Sequence, residues 1–179
     1  MDVKTLVKIT SRAWSLNVLA LMHGGMPGRQ ALLLSASGAG RTALAHSLGH
    51  LVDLGLLEKN PGHGHPLRPE FRLTPEGEEA AKIADRIERA VPKSSDRALL
   101  RRSWTVPVLA VSQEPRYFTQ IRNDLVPITD RALSQSLRQL QAHHWLRRKI
   151  DTSTRPPRPL YQASNAGERI RRAVGLGAR

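Results

Sequence analysis

The chain contains no cysteine, which excludes disulfides, thiolate metal sites, cysteine nucleophiles and cysteine-based redox sensing. Long apolar runs are also missing: no stretch approaches the ~18 to 20 residues needed to span a bilayer. The opening MDVKTLVKITSRAW lacks the uninterrupted apolar core and small-residue cleavage site of a secretory signal. A cytoplasmic location is expected. Acidic residues are few, 15 Asp and Glu against 28 Lys and Arg, for a net charge of +13. Such an excess points to nucleic acid, an acidic membrane face or an acidic protein as partner. It is uneven, because residues 1–90 carry 11 basic and 9 acidic side chains and residues 91–179 carry 17 and 6. The second half should hold an acidic partner more tightly. With 40% apolar residues in 179, the chain can bury the core of one domain or of two small ones.

The stretch LLLSASGAGRTALAHSL, from Leu32 to Leu48, sets glycines before a helical pattern, as a phosphate-binding loop would. That loop requires G-x-x-x-x-G-K-[ST], in which the first Gly permits the turn and Lys reaches the terminal phosphates. Here Ser35 takes the first Gly position and Arg41 replaces Lys, which argues against a nucleotide site. No Ser-His-Asp order or carboxylate pair recurs along the chain, so no catalytic constellation is nominated. Neither an enzyme nor a cofactor is expected.

The chain repeats itself at a spacing of about 90 residues. RAWSLNVLAL from Arg12 aligns with RSWTVPVLAV from Arg102, pairing Trp14 with Trp104 and Leu19 with Leu109. TALAHSLGHLVDLGLLEK then aligns with RALSQSLRQLQAHHWLRRK, so that Leu44, Leu48 and Leu51 match Leu133, Leu137 and Leu140. Finally RPEFRLTPEGE from Arg68 aligns with RPLYQASNAGE from Arg158. A period this long exceeds a solenoid unit and suits a duplicated small domain, with residues 1–91 and 92–179 as the two units.

Each copy reads alike. Trp14 to Met22 and Val106 to Val111 are apolar and helix-length, with Pro107 confined to a first turn or a kink. In the second copy Phe118, Ile121 and Leu125 fall at i, i+3 and i+7, and PIT breaks that helix. Thr129 is an N-cap, and the next helix buries Leu133, Leu137 and Leu140 on one stripe. Trp145 to Ile150 and Leu160 to Ala163 read as strands around DTSTRPPRP; Leu56 to Lys59 and Glu70 to Leu73 flank NPGHGHPLRP in the first copy. Glu76 to Val91 reads as a connecting helix and PKSSDR as the loop after it. Helices followed by strand, basic loop and strand predict a mainly α fold with small β-wings: two tandem winged helix-turn-helix domains forming a pseudo-dimer.

With these residues assembled, the second copy resembles the HxlR family of bacterial winged-helix regulators, related to the MarR and PadR groups. The resemblance rests on Trp104, Phe118 with Ile121, ITDRALSQSLRQL from Ile128, WLRRK from Trp145 and PPRPLYQASNAG from Pro156, and covers residues 102 to 173. His144 stands where a helix-ending Gly is usual, and Ala163 and Ser164 where Leu and Thr are. The first copy keeps Trp14, Leu44, Leu48, Leu51, Gly55, Phe71, Leu73, Thr74 and Gly77 but lacks the aromatic anchor of the second helix. The resemblance implies binding of double-stranded DNA, nucleoid association and regulation of transcription. It also implies homodimers of single winged helices, so one chain here would supply both halves, as a monomeric pseudo-dimer or in a homodimer. The resemblance also implies that many relatives sense reactive small molecules through a cysteine, which this chain lacks.

Candidate contacts follow. Arg131, Ser134, Gln135 and Arg138 lie outside the Leu stripe of the second recognition helix, behind Thr129; Arg reads guanine and Gln reads adenine in a major groove. Arg41, Thr42 and His46 are their counterparts in the first copy, where Gly38 and Gly40 let backbone N–H groups approach a phosphate. Arg155 and Arg158 in the second wing and Arg68 in the first should reach phosphates or a minor groove. Strand alternation should let only some of Arg147, Arg148 and Lys149 face DNA. His46 and His50 sit at i, i+4, but a zinc site needs three or four ligands and the sequence nominates no others; no metal is expected. His143 and His144 read as a helix end, and Trp14 and Trp104 as core aromatics. The alternative function is an architectural or protein-interaction winged helix without base-specific readout; fold alone does not decide.

Overall fold

The computed structural model describes residues 1–60, 70–91 and 94–176. The first half runs α1 (Val3–Thr10), α2 (Ser15–His23), α3 (Gln30–Ser37), α4 (Arg41–Asp53), β1 (Leu57–Asn60), β2 (Glu70–Leu73) and α5 (Pro75–Arg89). The second runs α6 (Ser94–Leu100), α7 (Thr105–Ala110), β3 (Arg116–Tyr117), α8 (Phe118–Asp124), α9 (Asp130–Ala142), β4 (Leu146–Asp151), β5 (Arg158–Ala163) and α10 (Ala166–Val174). The architecture is mainly helical with two small antiparallel sheets, β1-β2 and β3-β5-β4, as a winged helix-turn-helix of the α+β kind requires.

Local sequence explains several element ends. Asp2 caps α1 by accepting from the Thr5 amide at 2.7 Å. Thr74 caps α5 by accepting from Gly77 N at 3.0 Å, with Pro75 in the first turn, Glu76 and Glu78 beside it and Arg86 and Arg89 in the last turn. Proline at that position loses no helical bond, and both charge groups complement the helix dipole. The buried face of α5 is mostly small, with Gly77, Ala80, Ala81 and Ala84 preceding Ile87. Small side chains let α2, whose Leu16, Val18 and Leu19 are buried, lie close along it. Burying each such leucine stabilises the fold by about 1.5–3 kcal/mol.

Buried side chains from both halves join in one hydrophobic cluster, from Leu6 and Ile9 on α1 to Ile170 and Val174 on α10. Helix α5 packs on α2 and also on α10, and α1 packs on α7. Arg101 stacks its guanidinium 4.6 Å from the Trp14 ring centre, and Arg97 reaches Glu88 at 3.8 Å. Trp14 and Trp104, expected in the core, are half-buried and lie just before α2 and α7; Trp104 packs against the core from its edge, and the fully enclosed tryptophan is Trp145.

Two further expectations need correction. The loop read over PKSSDR is helical from Ser94 onward, because Leu99 and Leu100 at its end are buried and tertiary packing holds a turn that propensity alone would not. Both strands of the second wing extend further than read, to Asp151 and back to Arg158. Pro159 is accommodated because β3 pairs only with Leu160 and Tyr161, so β5 has a ladder on one side at the proline. The short strand β3 itself was not anticipated.

Candidate nucleic-acid interface

Helix α9 is positioned by its start and by its buried stripe. Thr129 accepts from the Ala132 amide at 3.2 Å, and Asp130, in the first turn, is held by Arg122 of α8 at 3.1 Å. Leu133, Leu137 and Leu140 are all buried, anchoring the helix on α7 and β4. Its outward face is set by that anchorage. Arg131, Gln135 and Arg138 follow one another at i, i+4 and i+7, all exposed, with Ser134 half-buried at their edge. Neither arginine has an acidic partner among the described residues, so both forks are available to an external acceptor.

The wing is built by β4 and β5, paired from Leu146 with Ala163 to Asp151 with Arg158. Arg147, Arg148 and Lys149 are all exposed, although Arg147 is turned onto Gln162 at 3.0 Å. They line an open groove of about 560 Å³ with Ile150, Asp151, Leu160 and Gln162. Arg155 is exposed at the tip. Arg158 is exposed as well, but its guanidinium lies over the Tyr117 ring, 5.8 Å from its centre. The Tyr117 hydroxyl donates to Asp151 Oδ2, and Asp151 Oδ1 accepts from the Ser153 amide at 2.9 Å and hydroxyl at 2.6 Å. The bonds from Ser153 first, and then that from Tyr117, hold the Asp151 carboxyl below its ordinary range. The same Asp151 bond pushes the Tyr117 phenol up.

The first half offers a different surface. Arg41, Thr42 and His46 are exposed on α4, and Leu44, Leu48 and Leu51 are buried beneath. No side chain caps α4, whose N-cap is Gly40 in extended conformation. The left-handed residue is Gly38, φ +70°, which ends α3. Ala45 and Gly49 complete the outward face, which has no amide or second arginine. His50 is engaged with α1 and the residue after it, its Nε2 lying 2.8 Å from Lys8 O and 3.1 Å from Ser11 Oγ; no group of three metal-ligating side chains occurs among the described residues. Arg68 lies outside the described residues.

His143 caps α9 and His144 follows in the left-handed conformation, φ 58°, so the residue replacing the usual glycine adopts the backbone that glycine would. Sequence reasoning missed Tyr117 and Asp151, which join positions 34 residues apart. The one available signal was Tyr117 itself, one of two tyrosines in the chain.

Residues 99–176 match the HxlR-like helix-turn-helix family, a span that contains α7 through α10. No curated protein and no solved structure gave a match. The family suggests a DNA-binding transcription regulator and not an enzyme. No helix among the described residues is long and apolar enough to cross a membrane.

Proposed function

We propose that this protein is a sequence-specific regulator of transcription that lays α9 in the major groove of double-stranded DNA. The observation that carries this reading is the outward face of α9. Arg131, Gln135 and Arg138 are exposed in line opposite three buried leucines, inside the family-matched segment. Bidentate arginine and glutamine are the side chains that distinguish guanine and adenine by their major-groove edges. Arg155 and the basic strand β4 then lie beside the groove as phosphate contacts.

The reading extends to a duplication, with residues 1–91 and 92–179 as two winged helices in a monomeric pseudo-dimer. Matching details support it. Leu56 N bonds Leu51 O as Trp145 N bonds Leu140 O, and Thr74 N bonds Leu56 O as Ser164 N bonds Trp145 O. Gly55 and His144, at corresponding places, both have positive φ. Arg29 bridges Glu70 ahead of α3, as β3 pairs with β5 ahead of α8. For the first half a second reading has support of its own, because Thr42, Ala45, His46 and Gly49 give α4 little to read bases with; that half would grip DNA shape or a protein partner.

Selection of bound fragments from genomic DNA tests the proposal. An enriched motif, resistant to competition by unrelated duplex at moderate salt, is expected. Equal retention of all fragments would leave only the architectural reading. Nuclease protection reads the duplication, since paired recognition helices protect two half-sites one DNA turn, ~34 Å, apart.

A further inference from the structure

We propose that Tyr117, Asp151 and Arg158 form a latch that fixes the second wing relative to the helix-turn-helix, making Asp151 a positioning residue for the wing's cationic contacts. The inference rests on the DNA reading for its functional part and on geometry for the rest. Tyr117 sits on β3 immediately before α8, and its backbone amide donates to Gln120 Oε1 at 2.8 Å. Its backbone is therefore tied to the first helix of the helix-turn-helix. From there its ring passes over β5, whose Leu160 is its pairing partner, and its hydroxyl reaches Asp151 at the end of β4. One side chain thus spans all three strands of the sheet.

At Asp151 the wing loop begins. One carboxylate oxygen takes Tyr117, and the other takes both the amide and the hydroxyl of Ser153. Thr154 Oγ1 continues the arrangement with a bond to Pro156 O at 3.1 Å, across the residue between them, Arg155. Arg158, paired with Asp151 across the ladder, closes over the tyrosine ring. An acidic side chain amid Arg148, Lys149, Arg155 and Arg158 repels phosphate, so on electrostatics alone it weakens binding to nucleic acid. The latch gives it the opposite effect: it orders a loop whose disorder would otherwise be lost on binding at an entropic cost.

The two effects predict opposite signs, which makes the test sharp. Asp151→Ala removes a negative charge, and Tyr117→Phe leaves charge unchanged and keeps the ring under Arg158. With a selected DNA site, both variants should bind about three- to tenfold more weakly: Tyr117→Phe loses one hydrogen bond, and Asp151→Ala loses three, offset by the negative charge it removes. Their log-log salt slopes should also fall by roughly 0.9, one phosphate contact. Tighter binding by Asp151→Ala, or wild-type binding by Tyr117→Phe, overturns the latch. Hydrogen exchange in the free protein provides an arm independent of DNA. The Ser153 amide should exchange faster in both variants, with α9 amides unchanged. If wild type binds no DNA but Ser153 still loses protection, the DNA reading fails and the latch stands as structure; unchanged exchange at Ser153 overturns it.

Discussion

A Cβ placed on Gly167 would come within 1.9 Å of the Trp145 carbonyl oxygen. Helix α10 therefore meets the start of the wing backbone against backbone. The contact has a second constraint, because the same carbonyl accepts from the Ser164 amide at 2.9 Å and cannot swing aside without breaking that bond. Gly77 and Leu56 stand in the same relation, again at 1.9 Å, with Thr74 as the donor. Gly167→Ala and Gly77→Ala should each destabilise by about 1–3 kcal/mol, the cost of overpacking a closed contact, readable as a lower midpoint in urea. A variant as stable as wild type at either position would show that the backbones separate freely.

The unequal faces of α9 and α4 predict unequal mutational effects. Arg131→Ala and Arg138→Ala should each relax base preference at one half of the site and cost roughly 1–3 kcal/mol of binding. Arg155→Ala should weaken all sequences alike and lower the salt slope. Arg41→Ala and His46→Ala should cost less, leaving an imperfect palindrome whose better-defined half is read by residues 129–141. Loss of all binding from Arg41→Ala, with both α9 arginines silent, would defeat this assignment.

Much of this was readable in advance, and what escaped has a common cause. Helix α9 announces itself because its information is local: three leucines at helical spacing behind a threonine cap. Strand β3 is two residues long and exists only through pairing with Leu160 and Tyr161, more than forty positions away. Helix α6 begins in a run of serines that reads as loop, and Leu99 and Leu100 hold it from the tertiary side. Among the candidate contacts, the exposure of Arg131, Gln135 and Arg138 follows from helical period, so it was legible. The seat of Arg158 on Tyr117 depends on the register of three strands, which no local pattern encodes.

Glu88 provides a stability test at the junction of the halves. Burial raises its carboxyl above the ordinary 4.5, against the opposing pull of Arg97 and a hydrogen bond with Asn17. A carboxyl raised on folding contributes stability below its unfolded pKa and loses it as pH rises through the folded value. Glu88→Gln should therefore raise the melting temperature at pH 7, and the gain should vanish near pH 4. A lower melting temperature at pH 7 would mean that the Arg97 pair outweighs the desolvation.

Glu168 should behave in the opposite sense. Hydrogen bonds from Arg171 first, and also from Arg172, bring its carboxyl down to about 2. Stability from this group is complete above about 4.5, the unfolded value, and is lost as pH falls toward 2. Glu168→Gln should narrow the difference in stability between pH 6 and pH 3 relative to wild type, measured by urea denaturation at both. An unchanged difference would mean that the two arginines are solvated by water rather than held.

Helices α5 and α10 meet inside a single polypeptide. In an assembly of identical subunits every substitution is written twice, so a gain on one face is tied to the same change on the other. Here each change is written once. The shared core joins the two halves of the chain at every concentration, so no dilution separates one from the other.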